Sequence, residues 1–179
     1  MGFVLMSKYS NQILKSMNLL AQNSKCIFLG QSVEYSGNLI YKTVNHINIK
    51  KRLEVPVFED VQMGMSIGLA LEGYLPISTY PRFDFLLLAF NQMINHLDKL
   101  PLITDKQFYP KVIIRVLVGA KKPLNAGEQH TQNYVNEVKK MVKTLNVFDL
   151  KNPNKVYDSY KKALSSKYSS LMVEYSEKF

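Results

Sequence analysis

Apolar positions along the chain change period repeatedly. Ile13, Leu14, Met17, Leu20 and Ala21 recur at helical spacing within residues 7–21, and the run CIFLG from Cys26 to Gly30 follows without a polar break. Such spacing predicts an amphipathic helix, and a short uniform run closed by glycine predicts a buried strand. The alternation continues with a helix in the late thirties to mid forties, a strand over EVPVF, and a helix over DVQMGMSIGLALEG closed by Gly73. LPIST reads as the next strand and FLLLAFNQMINHLDKL as one helix. KVIIRVLVG is β-branched and too uniformly apolar to have a wet face, so it belongs at the centre of a sheet. Val135, Val138, Met141, Val142 and Leu145 mark an amphipathic helix, followed by a strand NVF, a helix VYDSYKKAL and a strand SLMVEYS.

About six strands interleaved with about six helices predict an α/β fold: three layers, a mostly parallel sheet, and right-handed crossovers placing helices on both faces. With 179 residues, no repeat and no low-complexity linker, one domain is expected. In open parallel sheets, ligands gather at the carboxyl ends of the strands. Three loops reach that edge here: the one carrying Glu59 and Asp60, the one carrying Phe83 to Phe85, and GAKKPLNAGEQH.

Composition narrows the setting. Hydrophobic residues at 46% and charged residues at 21% suit a globular protein. Cys26 is the single cysteine, which excludes an internal disulfide and a cysteine-rich metal cluster and makes a reducing cytoplasm the expected location, with Cys26 a buried thiol. MGFVLMSKYS is too short an apolar stretch for a membrane span or a secretory signal; Met6 stands where a myristoylation signal needs Ser or Thr, and is itself a second candidate start besides Met1. Of the net charge of +9, +8 lies between Lys111 and Tyr168, where 12 basic residues meet 4 acids. A basic face can attract nucleic acid, anionic lipid or a phosphorylated ligand. Lys139, Lys140 and Lys143 fall opposite the apolar positions of their helix, so an ordinary solvated face accounts for them, and nucleic acid is not the expected partner.

Few residues offer chemistry. Asp60 is placed to cap the helix that follows it. Glu59 continues an apolar strand into a helix whose Met63, Met65, Ile67 and Leu69 leave no obvious wet side; by residue type alone, a surface or helix-terminus carboxylate is still the expected reading. His130 lies in a polar, glycine-containing loop, and His46 and His96 carry less signal. Gly64, Gly68 and Gly73 form no phosphate cradle, and their spacing suits close approach of the helix to another backbone. No nucleophile–base pair and no spaced metal-ligand set is present in the sequence.

PVFEDVQMGMSIGLALEGYLPI resembles the segment of thiamine diphosphate enzymes that runs from a strand end with Pro-x-x-Glu into a glycine-bearing helix. That segment belongs to the pyrimidine-binding domain shared by transketolases and 2-oxoacid dehydrogenases, and the likeness is strongest to the beta subunit of the decarboxylating dehydrogenase component. FLGQSV, FDFLLLAFNQMIN and GEQHTQ resemble further motifs of the family in the same order, so the likeness extends over residues 10–175. The resemblance implies the thiamine diphosphate-binding fold. It implies that Glu59 hydrogen-bonds the aminopyrimidine ring and thereby activates the cofactor, that Phe85 walls the pyrimidine pocket with Phe83 beside it or simply in the core, and that His130 faces the substrate. A 2-oxoacid is the implied substrate, a ketose phosphate the alternative, with thiamine diphosphate and magnesium as cofactors.

The sequence also departs from the family. Gln31 stands where an acid is usual, LITDKQFYPK replaces a glycine-rich segment, and the family's carboxy-terminal domain is expected to be absent. No Gly-Asp-Gly with a distant Asn is present to hold diphosphate and metal. These features imply half of a split enzyme: a beta-type subunit completed by a diphosphate-binding, alpha-type chain, assembled as a homodimer or heterotetramer. A non-catalytic interaction module that keeps the fold is the other reading.

Overall fold

A computed structural model describes residues 7–122 and 125–179. The choice between Met1 and Met6 as first residue, and Pro123 and Leu124 of the GAKKPLNAGEQH loop, lie outside the described residues. In chain order the elements are α1 Lys8–Ala21, β1 Cys26–Gly30, α2 Leu39–Val44, β2 Arg52–Glu54, α3 Glu59–Leu71, β3 Leu75–Tyr80, α4 Phe83–Leu86, α5 Leu100–Ile103, β4 Ile113–Val118, α6 Val135–Met141, β5 Asn146–Asp149, α7 Val156–Ser165 and β6 Ser170–Tyr175. The strands form one six-stranded sheet in the order β2-β1-β3-β4-β6-β5, with every pairing parallel. β4 lies inside the sheet, as its uniform apolarity requires, and all of its residues are buried.

Alternation along the strands divides the core in two. Ile113 and Leu117 of β4 meet Ile13, Met17 and Leu20 of α1, Ile40 and Val44 of α2, and Val156 and Ala163 of α7 on one face. Ile114, Val116 and Val118 meet Met63 of α3, Phe83 and Leu86 of α4, and Val135 and Val138 of α6 on the other. This is the expected three-layer arrangement. Cys26 is buried in the first layer, and burial, only partly offset by Lys51, pushes its thiol pKa up to about 12.

Three boundaries differ from the sequence pattern, each for a local reason. The strand expected over EVPVF is β2 at Arg52–Glu54, and the ladder stops after Val55 donates to the Gly30 carbonyl at 3.1 Å. Pro56 has no N–H to continue it. FLLLAFNQMINHLDKL is not one helix: α4 passes into a 3₁₀ turn at Leu87–Ala89, π-helical turns over Asn91–Leu97, and then α5. The wide turns end at Asp98, whose carboxylate accepts from the backbone N–H groups of Lys143, Thr144 and Leu145 at 2.7–2.9 Å. Those amides would otherwise continue α6, so that helix ends at Met141 with Val142 extended.

The first apolar layer contains one charged pair. Arg115 on β4 and Glu174 on β6 are fully buried and joined by two bonds of 2.8 and 2.9 Å. The Tyr160 hydroxyl of α7 donates to the same carboxylate, and Arg115 reaches Thr43 of α2 at 3.2 Å. Truncating one partner leaves a charge buried without its counter-ion, at a cost of about 3–5 kcal/mol. Glu174→Gln is therefore expected to lower the urea midpoint sharply, whereas joint apolar replacement of Arg115 and Glu174 costs less than the sum of the single changes.

Asp98 gives a pH signature. Burial alone would raise its pKa, but the Lys99 ammonium at 2.5 Å and the three backbone donors outweigh it and hold the pKa below the ordinary carboxylate value. The stabilisation is complete above the unfolded value near about pH 4 and is lost as pH falls through the depressed native value. Acid titration of stability should show this loss in the wild type and a flatter acid limb in Asp98→Asn, which starts about 2 kcal/mol less stable.

Candidate functional site

Glu59 opens α3 at the carboxyl edge of the sheet and is 3% exposed. Asp60 does not cap the helix: Phe58 occupies the cap position without a side-chain bond, and exposed Asp60 receives only a weak contact from Gln92 at 3.4 Å. Both acids lie in the first turn, where the helix dipole favours negative charge. The Glu59 carboxyl accepts from the Gln31 amide at 3.4 Å, and no ion pair to a cation is formed by it among the described residues. Gln31, where an acid would have put a like charge, thus supplies a donor. Beneath Glu59, Tyr80 on β3 donates to its backbone carbonyl at 3.4 Å, and Gln62 bonds Ser78 and the Thr79 carbonyl at 3.1 Å each. Gly30 permits this: it adopts φ 143°, and a Cβ there would sit 2.3 Å from the Thr79 carbonyl oxygen.

A second group gathers from the next two loops. The Phe85 and His130 rings meet edge to face at 5.4 Å, and with Arg82 and Asn38 they line a cavity of about 240 Å³. Gly119 makes the junction possible, since an added Cβ would lie 1.9 Å from the His130 carbonyl oxygen and 3.5 Å from Arg82 Cδ. Phe83 is placed elsewhere: it is fully buried in the second layer, edge to face with Tyr134 at 5.5 Å. The residues singled out in the sequence are therefore not all in one pocket. Phe85 and His130 share a cavity, Glu59 lines a separate, largely apolar depression of about 290 Å³ with Val57, Phe58, Asp60, Val61 and Leu88, and Phe83 packs in the core.

Sequence reasoning passed over Arg82, which follows β3 directly and carries no periodic signal. It also passed over the surface around Glu59. Val57, Phe58, Val61, Met65, Leu71 and Leu88 are all exposed, so the wet side missing from the pattern of α3 is an apolar one. A Cβ added at Gly68 of this helix would have nothing within 4 Å, and one at Gly64 would meet only Gln92 at 3.9 Å. The close backbone approach expected of these glycines is therefore not made within the described residues.

No family model matches the chain. The beta subunit of the pyruvate dehydrogenase E1 component of Gracilaria tenuistipitata var. liui is 34% identical over 116 residues, 62% of this chain and 35% of that protein. The chloroplastic subunit beta-3 of the same component in Arabidopsis thaliana is 38% identical over 80 residues, 45% of this chain and 19% of that one. A split-gene transketolase, solved as an inactive beta4 tetramer, superposes over 95% of this chain and 51% of its own with a TM-score of 0.71 at 16% identity. Sequence similarity to the dehydrogenase beta subunits and the fold shared with transketolases both support the resemblance to the transketolase and 2-oxoacid dehydrogenase family. The transketolase of Campylobacter jejuni shares the fold at a TM-score of 0.67 and 15% identity, over 94% of this chain and 25% of that one. The chain spans about a third of the length of the curated dehydrogenase subunits, 35% for the Gracilaria protein. Among the described residues no helix is long and apolar enough to cross a membrane, and no cluster of His, Cys, Asp or Glu could hold a metal.

The glycines of this chain differ in a way that can be measured. Gly119→Ala must displace the His130 backbone, at about 1–3 kcal/mol for overpacking, and shift the His130 ring signals in NMR spectra. Gly68→Ala meets no atom, should stabilise α3 by up to about 1 kcal/mol through helix propensity, and should leave the His130 signals in place.

Proposed function

We propose that this chain is the beta-type, pyrimidine-binding part of a thiamine diphosphate-dependent enzyme, with Glu59 as the carboxyl that engages the aminopyrimidine. The observation that supports this most strongly is the setting of Glu59: a carboxyl at 3% exposure, beside an apolar depression at the carboxyl edge, contacted by a neutral amide and not by a cation. Such a site suits a flat, uncharged heterocycle with ring nitrogens better than an ion. When bound, the cofactor supplies an electron sink for cleaving the bond next to a carbonyl. Glu59 would hold the hydrogen bond to the ring nitrogen at its carboxyl oxygen, the Gln31 amide would steady the other side of that carboxyl group, and the apolar residues around it would exclude water. Phe85 would form the aromatic wall, and His130, in edge contact with it, would face the reacting carbonyl and move a proton at its ring nitrogen.

The substrate reading is a 2-oxoacid, with a ketose phosphate as the alternative within the same chemistry. Magnesium does not fit the described residues, which contain no suitable acidic cluster, and would be held together with the diphosphate by an alpha-type partner. The exposed apolar face of α3 beside Glu59 supports a subunit docking there, which would complete the site between chains as a dimer or a heterotetramer. The buried single thiol is compatible with a reducing, cytoplasmic setting.

Glu59→Gln tests the assignment. In the assembled enzyme, with a diphosphate-binding partner, turnover should fall at least about 100-fold while the circular dichroism spectrum and urea midpoint stay near wild type. Near-normal turnover of that variant would remove Glu59 from the mechanism; absence of turnover in every wild-type pairing would favour the non-catalytic module.

A further inference from the structure

Beside the Phe85–His130 cavity lies a larger one of about 470 Å³, and Arg82 and Asn38 line both. The larger space adds Lys42 from α2, Ser36 from the loop before it, and Ser176 just after β6. Two cations and several hydroxyl or amide groups thus border the larger recess, which shares Arg82 and Asn38 with the Phe85–His130 cavity. Arg82 donates only to its own neighbour's carbonyl, that of Pro81, at 2.7 Å, and neither Arg82 nor Lys42 forms an ion pair among the described residues. A guanidinium with its carboxylate-binding edge uncommitted beside a lysine is suited to an oxyanion.

The recess is built, not incidental. The loop carrying Ser36 and Asn38 is fastened by Glu54, whose carboxylate accepts from the N–H groups of Ser32, Val33 and Glu34 at 2.6–2.9 Å and holds Ser32 at φ 59°. Asn38 donates to Ser32 at 3.1 Å, and Arg52 donates to the Val33 carbonyl at 2.9 Å. α2, which carries Lys42, is anchored at the adjacent Thr43 by buried Arg115. Gly119 brings the His130 loop against the Arg82 stem. Both cations are therefore mounted on segments held by buried or backbone-directed bonds.

We propose that Arg82 and Lys42 bind the anionic group of the substrate, a carboxylate or phosphate, while its carbonyl lies beside His130, and so select acidic substrates. The inference rests on the proposed active site, because it takes His130 as the residue facing the carbonyl. Arg82, bordering both cavities, is the residue that links anion recognition to the reacting end. Lys42, bordering only the larger one, favours substrates whose charge extends away from the carbonyl.

The test uses the chain itself, followed by NMR, with glycerol 3-phosphate, pyruvate and inorganic pyrophosphate as separate probes and thiamine as a control in the same samples. Saturable shifts at Arg82, Lys42 and Asn38 are expected with glycerol 3-phosphate or pyruvate, weakened about tenfold or more in Arg82→Gln and Lys42→Gln, with partial recovery in Arg82→Lys. Shifts spread over the lysines of α6 and α7 with affinities unchanged by these substitutions would overturn the proposal. Pyrophosphate binding more tightly at Arg82 than either other anion would also overturn it, by assigning the recess to the cofactor's diphosphate. Thiamine shifts at Glu59 and Gln31 report separately on the cofactor reading: their loss with anion binding intact removes that reading and leaves the anion site standing.

Discussion

A single ion pair, Arg115 with Glu174, ties together elements that apolar packing alone would leave free to slide. It lies fully buried between β4 and β6, and through the Tyr160 hydroxyl and Thr43 it extends to α7 and α2. Hydrophobic contacts are non-directional, so many registers of helix on sheet bury similar area. A buried guanidinium tolerates few registers, because every misplacement leaves charge uncompensated at a cost of several kcal/mol. The pair thereby sets where α2 stands over the sheet, and with it the residues α2 carries to the carboxyl edge.

That edge is where the rest of the polar chemistry must go. Both faces of the sheet are occupied by apolar layers, so functional side chains have room only where strands end and loops begin. Two glycines then decide how near those loops come. Gly30 lets the β1 end approach the Thr79 carbonyl beneath Glu59, and Gly119 lets the His130 backbone cross the end of β4 beside Arg82. Neither approach is available to any residue with a side chain without moving backbone, so these positions govern geometry at the site while contributing no chemistry of their own.

What the sequence made legible follows from the range of each interaction. CIFLG, LPIST, KVIIRVLVG and SLMVEYS read correctly because a strand buried on both faces must be apolar throughout, a constraint visible within a few residues. The π-helical turns before Asp98 were not legible, since an apolar stripe of helical period looks alike whether the turns are regular or widened. Their cause is an acid whose partners, the amides of Lys143 to Leu145, lie 45–47 residues away. Arg115 and Glu174, 59 residues apart, read as single charges in apolar runs. At the site, Glu59, Phe85 and His130 could be picked out by motif, but which of Phe83 and Phe85 faces the cavity depends on how one short turn of α4 sits on β4.

The distribution of charge shows why bulk electrostatics was a poor guide to the site. Nearly all of the chain's net positive charge falls between Lys111 and Tyr168, yet there Lys139, Lys140 and Lys143, with Lys161 and Lys162, stand on outward faces of helices or just past their ends. Free in water and screened by salt, such charges discriminate little between ligands. Arg82 and Lys42 come from the part of the chain whose charges nearly cancel, but they border the same recess, together with Ser36, Asn38 and Ser176, so that two cations and several polar groups can act on one ligand. The proposed selectivity for an anion at this edge thus rests on two side chains and not on an isoelectric point, and it would survive neutralisation of the whole basic third.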